Sequence, residues 1–348
     1  MNDLVLQKST EFMLLNVYSL PQMGFVYGKA GIALTLFELS GFKNEEAYEE
    51  YAYDLLKEVL TYKLENKNFA YGTAGIGYVL DYLIKNRFLD ADYQDLFGKQ
   101  HQEILNEILY NLEDTQYDKY HYVDFLFWVE SLAEHIDEEM LEGCEYVLTL
   151  HILNALVWFE SSKKLSPAGI SVFYDYASKL LAVCNSCRVP DKCSNRFIVK
   201  IKHVLERLYA NDIICSEPLL GFQLYIYGVS RKQDELVKIG KKMIDRAIKD
   251  LYPSILNFKQ KIDLAYHMLR VYHLDRTLDY RYKAKELMNI LKEEKVEVFE
   301  GKLMKAICSG VLPNLGCGQG LCRLLLLNIY WDKMEQGEWP DHITELLN

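Results

Sequence analysis

Apolar residues recur every three or four positions along most of the chain, a period that predicts amphipathic α-helices. For example, Ile76, Val79, Leu80, Leu83 and Ile84 fall on one helix face. Seven predicted helices carry charge on their other side, and they span 3–18, 45–62, 93–112, 138–160, 195–210, 232–251 and 280–295. They alternate with seven more apolar segments, most of which begin beside glycine. The pattern predicts an all-α chain of seven helical hairpins, with the charged helices outside and the apolar ones inside.

Two of the apolar segments begin with the same glycine motif. Residues 27–32 and 71–76 both read Tyr-Gly-x-Ala-Gly-Ile. Weaker copies of the motif occur later in the chain. With one glycine taken from each copy, the series is Gly31, Gly75, Gly169, Gly221 and Gly320. Degenerate copies near 121–132 and 261–273 complete seven units with a mean spacing of about 48 residues, a length typical of repeated helical hairpins.

Glycine at a helix start allows neighbouring backbones to approach closely. The first-turn N–H groups of a helix have no partner within the helix and carry partial positive charge. We therefore predict a cavity rim that holds an anion or a carboxylate-rich peptide, unless these glycines serve packing alone. The predicted rim glycines are Gly28, Gly31, Gly72, Gly75, Gly169, Gly221, Gly318 and Gly320.

These glycine-led repeats resemble the lanthionine synthetase C-like (LanC-like) family. Residues 69–80 are the best match, and residues 315–321 resemble the closing repeat of that family. The resemblance implies an α/α toroid, a barrel of inner and outer helix rings formed by one domain over 1–348. The alternative from the repeats alone is an open solenoid of helix pairs.

The resemblance also implies a role in peptide modification, as in lantibiotic biosynthesis, with a peptide substrate or a partner peptide-modifying enzyme. In catalytic members of the family, zinc activates a peptide cysteine thiolate. The thiolate then adds to a dehydrated serine or threonine and closes a thioether ring.

The zinc ligands of those catalytic members are only partly matched. The family places one cysteine in a Trp-Cys-x-Gly setting and two further ligands in a Cys-His-Gly triplet, which this chain lacks. Cys215 precedes Gly221 at the expected place but lacks the flanking Trp and Gly, and the next repeat offers His267 and His273 without a cysteine. A catalytic zinc needs three protein ligands and one open position. Cys215 and His267 are therefore weak candidates, with core residues as the alternative.

Two other cysteine groups are candidate sites. Cys184, Cys187 and Cys193 have a spacing that suits a structural metal, in a predicted loop on the rim opposite the glycines. Free thiols are the alternative there. Cys317 and Cys322 flank the last glycine motif, where Cys317 could face the cavity, but no base is assigned to it.

Inward-facing polar residues suggest a third function. Asp81, Asp124 and Asp175 lie on or beside predicted inner helices. A convergent pair of carboxylates would allow glycosidic-bond cleavage, whereas solvated or helix-capping carboxylates are the alternative. Gln223 and Asn328 are further candidates for the inner face.

Composition limits the partners. The net charge of −11 argues against nucleic acid. The first residues lack a secretory pattern, and no uninterrupted apolar run approaches the roughly 18 residues of a membrane helix. We expect a cytoplasmic protein without membrane insertion, whose eight scattered cysteines are mostly reduced. Three functions remain: thioether-forming peptide modification, a non-catalytic peptide-binding accessory module, or a helical-barrel carbohydrate-active enzyme.

Overall fold

The computed structural model describes residues 3–112, 118–162, 165–187, 189–210, 218–249, 256, 258–276, 278–297, 315–317 and 320–338. These residues form helices joined by loops, and none of them lies in a strand. The α-helices are α1 (Asp3–Val17), α2 (Lys29–Lys43), α3 (Glu46–Thr61), α4 (Thr73–Lys85), α5 (Tyr93–Asn106), α6 (Lys119–Ser131), α7 (Glu138–Ser161), α8 (Pro167–Ser186), α9 (Asp191–Ala210), α10 (Pro218–Ser230), α11 (Asp234–Lys249), α12 (Phe258–Asp275), α13 (Leu278–Glu297) and α14 (Leu321–Glu335). A π-helical turn, Glu107–Asn111, follows α5, and a short 3-10 turn, Ala133–His135, follows α6.

This helix order confirms the all-α prediction. Each predicted segment is a helix in the structure, including the two degenerate repeats, which are α6 and α12. The largest boundary difference at a helix start is in α9, which begins at Asp191 rather than near residue 195. Local periodicity was therefore sufficient to locate the helices.

The two predicted kinds of helix differ in burial. Helices α2, α4, α10 and α14 are buried on nearly all sides. Helix α3 instead buries one stripe, formed by Ala52, Leu55, Leu56 and Val59, and turns its charged residues to water. Burial on all sides requires an apolar sequence, while a one-sided helix tolerates charge on its wet face.

The described chain forms two compact units. The first comprises residues 1–101, 253–266 and 282–347, and within it α2 packs on α3, α4 and α14 while α1 packs on α14. The second comprises residues 102–252 and 267–281, and within it α10 packs on α8 and α11 while α7 packs on α6 and α9. The single-domain assignment over 1–348 stays a prediction.

Helix α7 is long and apolar enough to cross a membrane, judged by length and composition alone. Core helices of soluble proteins pass the same test, so one such helix is weak evidence. Its sequence contains no uninterrupted apolar run, because Thr149, His151 and Asn154 interrupt the apolar residues. The absence of membrane insertion stays a prediction.

Candidate functional site

Two glycine loops, 22–28 and 66–72, lie against each other in the first unit. The backbone N–H of Val26 donates to the carbonyl of Ala70 at 3.0 Å. A Cβ atom at Gly24 would lie 2.5 Å from the backbone of Tyr71. No side chain fits at that separation, so glycine at position 24 allows the two loops to touch.

The shared motif forms the same contact in both loops. A Cβ atom at Gly31 would lie 2.0 Å from the carbonyl oxygen of Phe25, and one at Gly75 would lie 2.1 Å from that of Phe69. In each repeat the glycine faces the carbonyl six residues before it. Close packing therefore requires these two glycines. A packing role was the alternative interpretation of the glycine motif.

The first-turn N–H groups are engaged within the loops. The backbone N–H groups of Lys29, Ala30 and Thr73 donate to carbonyls of their own preceding loops at 3.0, 3.1 and 2.9 Å. In the last repeat, the N–H of Cys322 donates to the carbonyl of Leu315 at 3.1 Å. These four groups are not open to an anion, because each loop folds back over the helix start and supplies the acceptors. The anion-binding role of the rim as a whole stays a prediction.

The cation at the start of α2 is also neutralised. The Lys29 side chain is only 2% exposed, and its Nζ lies 2.5 Å from Oε1 of Glu58. The same nitrogen lies 3.5 Å from the carbonyl of Tyr18. Its charge is thus directed into the protein, toward α3, and is not presented on the loop surface.

An aromatic pair marks the outer side of the two loops. The rings of Tyr27 and Tyr71 stack with centroids 4.8 Å apart and an interplanar angle of 18°. The Tyr71 side chain is 47% exposed. Phe25 and Phe69 are buried and pack edge to face with ring centroids 5.5 Å apart. We call Tyr27, Tyr71 and the two loops 22–28 and 66–72 the tyrosine platform.

These tyrosines are part of the sequence repeat, which by itself predicts no role for them. Tyr27 and Tyr71 both occupy the first position of the Tyr-Gly-x-Ala-Gly-Ile motif. An identical aromatic residue before each glycine indicated only that they hold equivalent positions in the two repeats. The pairing of the loops could not be read from the sequence.

The remaining rim glycines have different roles. Gly320 begins α14 in the first unit, and Gly318 lies outside the described residues. In the second unit, α8 is capped by Ser166, whose Oγ accepts from the N–H of Gly169 at 3.1 Å. Gly221 lies at the crossing of α10 and α11, where its Cβ would be 2.9 Å from Cβ of Met243.

His267 belongs to a buried polar network across α8, α10 and α12. Nε2 of Gln223 donates to Nε2 of His267 at 2.8 Å, because a glutamine amide nitrogen can only donate. Oε1 of Gln223 accepts from Nδ2 of Asn185 at 2.7 Å. His267 is 4% exposed, and Gln223 and Asn328 are each 2% exposed, which agrees with their predicted inward placement.

The residues described do not fit the family's zinc centre. Cys215 lies outside the described residues, and the nitrogen of His267 that faces Gln223 is already hydrogen-bonded. The described part of that repeat supplies no cysteine beside His267. Because a catalytic zinc needs three protein ligands, we derive no reaction step through zinc.

The predicted loop around Cys184 is helical. Cys184 lies inside α8 and is 1% exposed, Cys187 is the residue after α8, and Cys193 lies in α9. The loop prediction was wrong because the apolar residues before Cys184 continue the buried face of α8. Burial raises the pKa of Cys184 to about 12, which disfavours a free thiolate. A structural metal held by the three thiols stays a prediction.

The carboxylates singled out from the sequence have partners. Asp81 lies 2.7 Å from Nζ of Lys85, and Asp124 lies 2.6 Å from Nζ of Lys179. Asp175 is exposed and hydrogen-bonds the hydroxyl of Tyr120. Asp81 is therefore a buried ion-paired carboxylate, Asp124 is ion-paired and Asp175 is exposed. A convergent pair for glycosidic-bond cleavage stays a prediction.

Sequence reasoning missed one carboxyl group, that of Glu130. It ends the apolar run Phe127-Trp128-Val129 on α6, and its buried Oε1 has no hydrogen-bond partner among the described residues. Burial, with a smaller contribution from Glu145, raises the pKa of Glu130 to about 8. A glutamate that closes an apolar helix segment was the available signal.

Glycine-led helix pairs with a shared aromatic loop define a helical-repeat protein. The lanthionine synthetase C-like family model matches residues 23–126, which include both loops of the tyrosine platform. The match, which covers about a third of the chain, confirms the predicted resemblance. The helical described residues confirm the all-α class, and the helical barrel of that family is consistent with the predicted α/α toroid. No curated protein matches the chain significantly.

Proposed function

We propose that this LanC-like protein takes part in peptide modification as a peptide-binding accessory, and that a peptide docks on the tyrosine platform. The observation that carries the proposal is the stacked pair of Tyr27 and Tyr71, with Tyr71 47% exposed, on loops inside the family match. Peptide binding is general in that family.

The platform has physical properties that suit peptide recognition. Tyrosine provides a large amphipathic contact area and loses little side-chain entropy on binding. The backbone contact at Gly24 and the hydrogen bond between Val26 and Ala70 hold both loops in place. A preorganised surface retains more of its contact energy as affinity.

Recognition on this platform rests on ring contacts more than on charge. The first-turn N–H groups of α2 and α4 described above have acceptors, and Lys29 is paired with Glu58. Attraction between exposed charges weakens as salt is added, whereas apolar contact does not. We therefore expect peptide affinity that changes little with salt concentration.

The accessory role is preferred to zinc-dependent cyclisation for a chemical reason. The nitrogen of His267 that would be offered to a metal is hydrogen-bonded to Gln223 inside a buried network. The chain also has no Cys-His-Gly triplet. A partner enzyme would supply the ring-forming chemistry on a peptide that this chain holds.

The binding site can be tested with peptides selected from a displayed random library on the full chain. We expect Tyr71→Ala to weaken the selected peptides about tenfold, since loss of one well-placed aromatic anchor costs about 1–2 kcal/mol. Tyr146→Ala is a matched control, because Tyr146 is 71% exposed on α7 of the second unit. Equal affinity for Tyr71→Ala and the unmodified chain would place the site elsewhere.

Catalysis can be tested separately with a synthetic peptide that contains dehydroalanine and one cysteine. The free thiol is titrated after incubation with the chain, with and without added zinc. We expect no loss of thiol beyond that in buffer. A zinc-dependent loss that requires the chain would instead establish a cyclase and end the accessory interpretation.

A further inference from the structure

Three sulfur atoms meet in the interior of the first unit. Met13 lies on α1, Cys317 lies in the last glycine loop, and Cys322 lies in the first turn of α14. The Sγ atom of Cys322 is 3.4 Å from Sδ of Met13, and a hydrogen bond joins the thiols of Cys317 and Cys322. All three side chains are buried, with no more than 2% exposure.

We propose that Met13, Cys317 and Cys322, the three-sulfur cluster, form a binding site for Cu(I). Thiolate and thioether ligands are soft and select Cu(I), whereas Mg²⁺ and Ca²⁺ prefer oxygen. Cu(I) accepts low coordination numbers, so three sulfur ligands suffice without a water molecule. This inference is independent of the proposed peptide binding.

The spacing of the sulfur atoms fits a trigonal site. Three sulfurs that each lie about 2.3 Å from a central ion are roughly 4 Å apart. The Cys322 and Met13 sulfurs are 3.4 Å apart, and the thiols of Cys317 and Cys322 are hydrogen-bonded. The Cys322 and Met13 sulfurs would therefore separate by about 0.6 Å on binding, which side-chain rotation can supply.

Polar groups surround the Cys317 thiol. Its Sγ donates to the backbone carbonyl of Gly31 at 3.3 Å. Sγ of Cys317 lies 3.6 Å from the Thr35 hydroxyl, which orients this sulfur from outside the cluster. Arg323 places a positive charge beside a site that becomes anionic.

Binding of Cu(I) changes the protonation and the charge of the site. Cu(I) displaces the protons of Cys317 and Cys322, and both protons pass to solvent. The product contains two thiolates and one monovalent cation, so the site carries one net negative charge. No electron is transferred, and Met13 contributes a lone pair without losing a proton.

The cluster joins distant parts of the sequence. Met13 is in the first helix, and the two cysteines are in the last glycine-led repeat. A ligand that binds only the folded chain stabilises it according to its concentration and affinity. A bound ion would therefore cross-link α1 to the start of α14 and raise the unfolding temperature.

The test uses the full reduced chain under anaerobic conditions, with Cu(I) delivered from a chromophoric chelator. We expect one Cu(I) per chain to be taken from the chelator, and Cys322→Ser to weaken that binding at least 100-fold. Met13→Leu conserves volume and should keep the fold, and we expect it to weaken binding about tenfold. Cys144→Ser removes a buried thiol from the second unit and serves as the matched control.

X-ray absorption at the copper edge provides a structural readout. We expect three sulfur neighbours at about 2.3 Å. Failure of the chain to compete with the chelator would overturn the proposal. Equal Cu(I) affinities for the unmodified chain and Met13→Leu would also overturn it. The same holds if binding is lost in Cys187→Ser and kept in Cys322→Ser, because the ion would then lie in the other cysteine group.

Discussion

Replacing Glu130 by Gln should change how the stability of this protein depends on pH. The unfolded chain releases the Glu130 proton near 4.5, while the folded chain keeps it until about 8. The associated stability is fully present below 4.5 and is lost as the pH rises through about 8. Each pH unit in this window removes up to about 1.4 kcal/mol from the free energy of unfolding.

The full shift corresponds to at most about 5 kcal/mol, and we expect about 2–4 kcal/mol because the side chain retains some contact with water. Glutamine has nearly the same shape and no charge, so Glu130→Gln should be more stable than the unmodified chain by that amount near pH 8. The difference should vanish near the unfolded value of 4.5.

Urea unfolding at several pH values between about 5 and 8.5 measures this difference directly. Glu139→Gln is the matched control, since Glu139 is exposed in the first turn of α7 and its replacement should leave the pH slope unchanged. Parallel stability curves for Glu130→Gln and the unmodified chain would refute the assignment of a buried, protonated carboxyl group.

Three further predictions test a glycine contact, a buried ion pair and a helix cap. Gly31→Ala places a Cβ 2.0 Å from a carbonyl oxygen and should lower the free energy of unfolding by at least about 3 kcal/mol. Gly41→Ala on the same helix meets an ordinary 3.7 Å contact and should raise it by about 0.5–1 kcal/mol. Thermal unfolding of the two variants measures the difference. Arg323→Met removes the 2.7 Å partner of the buried Asp263 and leaves it only Lys259 at 3.0 Å, so it should cost about 1–3 kcal/mol in urea unfolding, a loss that Asp263→Asn in the same chain should partly restore. Asp118→Ala removes the side-chain cap of α6 and should cost about 1 kcal/mol by the same measurement, and no change would show that the cap is dispensable.

The helices were predictable because their signal is local. The regular spacing of the repeats located even the degenerate copies α6 and α12, which lack the glycine motif. Apolar periodicity could not predict the contact between the loops 22–28 and 66–72, since that contact depends on a backbone hydrogen bond between Val26 and Ala70. Periodicity fixes which residues share a helix face and leaves the partners of each face open.

The candidate site was predicted less well, for a related reason. Open first-turn N–H groups are a property of an isolated helix, and here the preceding loops supply acceptors to Lys29 and Thr73. The loop prediction at Cys184 failed because sequence spacing of thiols was weighed above the apolar residues that continue α8. Glu130 was missed because its effect arises from burial, which a single carboxylate in a sequence does not reveal.

The contact between glycine and carbonyl oxygen fixes the number of residues in each loop. Phe25 lies six residues before Gly31, and Phe69 lies six residues before Gly75, with the carbonyl oxygen filling the space of a side chain in both. One inserted residue would place a Cβ atom against that oxygen or move the oxygen away from the helix. Evolution can therefore change most side chains of these loops while the number of residues between the two points stays fixed.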